Sequence, residues 1–181
     1  MFFAHRGTAI FIRNDVFFTR LWNYEKYSFA SFSTMCFKLK IGNSRTFFCF
    51  IYRSPSLSSD QTGTKLDILS DTLSKIRDKS PLAEIVVAGD FNVHNPNWLT
   101  YSGEQYSSGL YTVLFCYYNL LTQILLEPTH LPRITNHRSN LLDLFLTSQP
   151  SKYEVTVIAA IGSDHNLIKP VFPALIQSHQ H

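Results

Sequence analysis

The stretch "VVAGDFNVHNPNW" (86–98) passes from aliphatic residues to Asp90, Asn92 and His94 within a few positions, and a second stretch, "IGSDHNL" (161–167), sets Asp164 and His165 between two apolar runs. Ligands usually meet a layered sheet where its strands end, so polar groups at two such ends are candidate site residues. Taken singly, an Asp after a strand is more often a turn-former or helix cap. Asp143 is different, because "NLLDLFL" (140–146) surrounds it with apolar neighbours. A carboxylate left unpaired there would cost several kcal/mol, so it needs a partner. His165 is the attractive one: a carboxylate that fixes the tautomer of an imidazole and raises its basicity prepares it for acid or base work. Asp90, Asn92, Asp143, Asp164 and His165 are therefore expected in one cleft.

The surrounding pattern supplies elements to hold them. "TAIFIR" (8–13) reads as a short strand, and "FSTMCFKLKIG" followed by "TFFCFIY" reads as a hairpin around "GNS" (42–44). In "TGTKLDILSDTLSKIRDKSP" the residues Leu66, Leu69, Leu73 and Ile76 share one helical face, and Ser80-Pro81 ends the segment. A buried strand over 83–89, a helix over 109–121 and a strand in "LTQILLE" follow. "LLDLFLTS" (141–148), "YEVTVIAAI" (153–161) and "LIKPVF" (167–172) read as further strands, with Pro170 pointing to a sheet edge.

Composition narrows the class. A chain of 181 residues suits one domain, and 45% hydrophobic against 16% charged residues, with 15 Phe and 9 Tyr, excludes disorder and favours a β-rich core. The expected domain runs over 1–173, with a polar tail at 174–181. A net charge of +3 permits a polyanionic partner without requiring one. Cys36, Cys49 and Cys116 are odd in number and lack a C-x-x-C pair, which argues against a disulfide framework or a zinc site. No run is long enough for a membrane span or a signal h-region, and the chain reads as soluble and intracellular.

"YRSP" (52–55), "GDFNVHNPNW" (89–98), "LLDLFLTS" (141–148) and "GSDHNLI" (162–168) occur in an order that resembles the endonuclease/exonuclease/phosphatase superfamily. More narrowly, "EPTHLPR" and "LDLFLTSQPSKYEV" are similar to the endonuclease domain of jockey-like non-LTR retrotransposons, which accompanies a reverse transcriptase. The resemblance spans about Arg6 to Phe172. It implies an α+β fold: a four-layered α/β sandwich of two packed, mostly antiparallel β-sheets flanked by helices. It also implies phosphodiester hydrolysis of DNA with Mg²⁺ or Mn²⁺, and a nuclear location if functional. By motif position, Tyr52 would contact the scissile phosphate, Asp90 would handle a proton, Asn92 would orient the attacking water, and Asp143 would orient His165. His165 would bind the phosphate, and Asp164 would stand on the metal side. Such chemistry needs positioning, a hard cation with oxygen ligands, and donors aimed at equatorial oxygens.

His94, Arg133 and Arg138 are the candidate substrate contacts, each weighed against an ordinary solvated residue. Lys38, Lys40 and Arg45 around the hairpin could also meet phosphates, and Trp98 is assigned to packing rather than base stacking. In the family pattern an Asn-bearing strand and a strand with a metal-binding Glu precede the segment matched by "RGTAIFIRND". The sequence begins too late to hold them, so the reading expects an amino-terminally truncated domain lacking its first strands, with weak or no activity. The alternatives are a non-catalytic remnant that at most binds nucleic acid, and a superfamily phosphatase acting on a small phosphoester. No obligate protein partner is evident.

Overall fold

The computed structural model describes residues 2–5, 8–25, 27–28, 31–41, 44–103, 106–132 and 138–171. Near the amino terminus, β1 (Phe2–His5) and β2 (Thr8–Phe11) pair as an antiparallel ribbon. The short strands β3 (Phe18–Arg20) and β4 (Tyr27–Ser28) each add to β5 (Phe32–Ile41), which forms the expected hairpin with β6 (Ser44–Arg53). Both long strands are dense in Phe, Ile and Thr, which suit a pleated, buried surface. Their register sets Cys36 opposite Cys49 as free buried thiols, with sulfurs 3.3 Å apart.

Helix α1 (Ser59–Lys79) begins at a capping box, in which the Ser58 hydroxyl accepts from the Gln61 amide and the Gln61 side chain accepts from the Ser58 amide. Leu66, Leu69, Leu73 and Ile76 are buried on one stripe, as their spacing requires. The chain then enters β7 (Glu84–Asp90), which lies parallel to β6, as a helical crossover allows. Residues Glu84 through Ala88 of β7 are all buried, the pattern of a central strand covered on both faces.

Helix α2 (Ser107–Tyr118) leads to β8, which is only Thr122–Gln123. The longer strand expected in "LTQILLE" is not formed. Leu125 turns into the core, Leu126 is exposed, and Pro128 has no N–H to continue a ladder. Strand β9 (Asp143–Thr147) pairs antiparallel with both β7 and β8. Strands β10 (Glu154–Ile158) and β11 (Leu167–Val171) make a second antiparallel ribbon, and Pro170 sits on an edge there as expected. The strand expected over 153–161 stops at Ile158, beyond which Ile161 is fully exposed.

The main sheet has the order β3-β5-β6-β7-β9-β8, with β4 beside β5. Register separates its faces. Phe47, Cys49, Ile51 and Val87 project towards α1 and α2, whereas Phe48, Phe50, Val86 and Phe145 project the other way, towards the two ribbons. The fold is an α+β sandwich, with helices on one face of the large mixed sheet and short antiparallel ribbons on the other. Among the described residues no helix is long and apolar enough to cross a membrane.

Candidate active site

Three adjacent strands carry a polar residue at or next to their ends, all at one level. Tyr52 of β6 is registered with Asp90 of β7, and Asp90 with Asp143 of β9. Residues opposite one another project from the same face, so the phenol and both carboxylates stand on the ribbon side of the sheet. Two like charges directly opposite are unfavourable in a sheet kept for stability alone. The row is held by Gly89, whose φ is +134° and whose place admits no side chain, since a Cβ there would lie 2.0 Å from the Ile51 carbonyl oxygen. That demand explains the Gly of "GDFN".

The fourth group arrives from the turn before β11. His165 Nδ1 lies 2.7 Å from Asp143 Oδ2, so Asp143 accepts from Nδ1–H and leaves Nε2 for another partner. Burial by itself would lower the pKa of His165, but the hydrogen bond and charge of Asp143, with the charges of Asp90 and Asp164, raise it above the usual value. Asp90 is pushed up to about 6, first by burial and then by the charge of Asp143, against the opposing pull of His165 and Asn92. A carboxyl tuned to that range can exchange protons near neutral pH.

Asn92 follows in a left-handed conformation, φ +47°, and its amide donates to Asp90 Oδ1 at 3.1 Å. Its side-chain amide donates to the Arg53 carbonyl at 2.9 Å. Arg53, which sequence reasoning left out, returns the contact. Only 4% exposed, it donates to the Asn92 carbonyl (2.9 Å), the Leu57 carbonyl (2.7 Å) and Thr62 Oγ1 (2.8 Å). Burial lowers its pKa while the charge of Asp90 opposes this. The available signal was an Arg embedded in the apolar strand "FCFIYR", where only a fully bonded guanidinium is tolerated.

Thr129 was missed as well. Fully buried, its Oγ1 accepts from the amides of Leu142 (3.1 Å) and Asp143 (2.9 Å), fixing the start of β9.

His94 lies beside this constellation rather than in free solvent. Its Nδ1 accepts from the Gly103 amide at 3.1 Å, so the proton of the neutral ring is on Nε2. Burial, then the charges of Arg53 and His130, lower its pKa. With Asn92, Arg53, Ser58 and Tyr106 it lines a polar cavity of about 470 Å³. Asp164 reaches the site through its charge on His165, and its carbonyl accepts from the Leu131 amide at 2.7 Å. Arg138 is exposed, and no described contact joins its side chain to the site; Arg133 lies outside the described residues. Trp98 packs against the core. Lys40 and Arg45 pair at the far end of the β5–β6 hairpin, seven residues before Tyr52 along β6. At strand rise that is roughly 23 Å away, too far to share a phosphate.

Among the described residues no three His, Cys, Asp or Glu side chains stand close enough to hold a metal ion unaided. The donor set of carboxylates and an amide oxygen nevertheless suits a hard divalent cation, which would offset the burial and the Asp143 charge that raise Asp90. Mg²⁺ commonly uses one or two carboxylates and completes its shell with water and substrate phosphate.

Residues 46–169 match the family described as endonuclease-reverse transcriptase. No curated protein matches the sequence. Among solved structures, the endonuclease domain of TRAS1, a telomere-specific non-LTR retrotransposon, superimposes with a TM-score of 0.67 at 16% identity, over 91% of this chain and 72% of that one. Truncated Caenorhabditis elegans TDP2 gives 0.54 at 14% identity, over 78% and 60%. A mannosyl-6-phosphatase of Bacteroides thetaiotaomicron gives 0.50 at 16% identity, over 78% and 57%. At such identities the likeness shows the fold, which is that of the endonuclease/exonuclease/phosphatase superfamily. By the match over most of its length, this chain belongs to the endonuclease-reverse transcriptase family.

Proposed function

We propose that this site hydrolyses phosphodiester bonds in DNA with a divalent cation, as an endonuclease of retrotransposon type. The observation that carries the reading is the row Tyr52–Asp90–Asp143 across β6, β7 and β9, closed by His165 at 2.7 Å from Asp143. A divalent cation on the Asp164 side of the site would neutralise developing charge on the phosphate oxygens. Asp90 takes the proton of the attacking water. Asn92, gripped by Arg53, orients that water. His165 is held by Asp143 and stabilised in its charged form by three carboxylates. It donates from Nε2 to a phosphate oxygen, and Tyr52 contacts the same group.

Because the described carboxylates do not close around a cation, residues 1–181 alone are expected to nick supercoiled plasmid feebly or not at all in Mg²⁺ or Mn²⁺. A version supplied with an additional metal-ligating Glu is expected to nick it, with Asp90→Ala and His165→Ala each abolishing the gain. Strong nicking that survives Asp90→Ala would remove Asp90 from the chemistry and overturn the reading.

A further inference from the structure

The imidazole of His130 lies against that of His165, with ring centroids 5.2 Å apart and planes at 64°. The backbone makes this contact obligatory. His130 and His165 form an isolated antiparallel bridge, flanked by Leu131 N–H donating to the Asp164 carbonyl and Asn166 N–H donating to the Thr129 carbonyl, both at 2.7 Å. Bonds at i+1 and i−1 on either side define the narrow, non-hydrogen-bonded pair of an antiparallel ladder, in which facing side chains approach most closely. The other edge of the same segment pairs with Asn140, and Thr129 Oγ1 holds the Asp143 amide. Thus one three-residue strap, Thr129 to Leu131, holds the Asp143 amide and the backbone on either side of His165.

Within that strap the ring of His130 is not anchored by bonds of its own. Its Nδ1 is buried and has no hydrogen-bond partner among the described residues. A buried nitrogen left so is destabilising. The ring packs on that of His165, and the strap holds its backbone.

The geometry points to His130 as a positioning residue for His165: its ring holds the neighbouring imidazole in the plane where Nδ1 meets Asp143 and Nε2 faces the phosphate. The inference rests on the phosphodiesterase reading only for the role of Nε2; the positioning stands on the contacts alone. Nothing in it requires His130 to touch substrate.

Two variants test it. His130→Phe keeps a ring at the contact and removes the orphaned nitrogen; His130→Leu fills the site without a ring. With imidazole nitrogens labelled, NMR should show a slowly exchanging His165 Nδ1 proton in the parent and in His130→Phe. In His130→Leu that signal should broaden beyond detection, although its thermal midpoint stays near that of the parent. In a version that nicks DNA, His130→Leu should lower kcat roughly tenfold with KM unchanged, as expected of a misaligned group, and His130→Phe should keep the parent kcat. A sharp His165 signal in His130→Leu, or its loss in His130→Phe, would overturn the inference. If the NMR pattern holds but no version nicks DNA, the positioning role stands and the endonuclease reading fails.

Discussion

Asp90 shows how function can set itself against stability at a single residue. Its pKa in the folded protein, about 6, lies above the ordinary carboxylate value of 3.8, so the folded state binds more protons than the unfolded state between those limits. Its contribution therefore becomes less favourable as pH rises from about 4 to 6, and stays so above. Asp90→Asn is expected to stabilise the fold by about 1–2 kcal/mol at pH 7.5, allowing for its partial solvent screening, and by almost nothing at pH 4. Denaturant midpoints at the two pH values measure this, and a variant less stable than the parent at pH 7.5 would contradict it. Any metal-dependent phosphodiesterase activity should rise with pH below about 6, because a cation beside Asp90 favours its ionised form. His165 runs the opposite way. Its raised pKa means that its pairing with Asp143 contributes fully below its unfolded value and is lost as pH climbs through the folded one. Arg53→Met should leave the carbonyls of Leu57 and Asn92 without donors, at a cost on the order of 3 kcal/mol, whereas Arg53→Lys should recover only part. Chemical denaturation separates the two.

At the scale of elements, the β6–β7 junction carries the site because a parallel strand end and a sharp turn coincide there. Gly89→Ala would drive a methyl group to 2.0 Å from the Ile51 carbonyl oxygen, so Tyr52 and Asp90 could not keep their register. A loss of several kcal/mol, seen as a collapse of cooperative thermal unfolding in circular dichroism, is expected. Gly162 is the control: its φ is +81°, but a Cβ there meets nothing within 4 Å. Gly162→Ala should cost only about 1 kcal/mol from backbone strain. Equal destabilisation of the two would show that close approach is not what selects Gly89. Helix α1 supports the same junction from behind, since Thr62 on its first turn bonds Arg53 and Leu73 is fully buried.

For the molecule as a whole, charge is spread thinly. The net value is +3, Arg53 is spent on internal acceptors, and the hairpin cations are remote from Tyr52. DNA binding should accordingly show a shallow log-log salt dependence, with a slope of magnitude below about 4, because each neutralised phosphate contributes roughly 0.9. Replacing Lys38 and Lys40 together with Ala should leave that slope within one unit of the parent value, as read by fluorescence anisotropy across a salt series. A steep slope abolished by those two changes would move the DNA path to the far end of the hairpin.

Local patterning determined much of this protein. Hydrophobic spacing located α1 and its buried stripe, the β5–β6 hairpin and the buried strand leading to Asp90. An isolated Asp in an apolar strand forced a partner for Asp143, and His165 proved to be that partner. These features depend on short-range periodicity or on the large cost of burying a lone charge, and both can be read along a chain. Tertiary structure alone decided the rest. The short β8, the register aligning Tyr52, Asp90 and Asp143, the Arg53–Asn92 clamp and the Thr129–Leu131 strap all join residues far apart in sequence. The Arg in "YRSP" and the His in "PTHL" look like ordinary polar residues until strand pairing buries one and sets the other against a second imidazole. Pairing partners are chosen by the packing of whole elements, which no local spacing records.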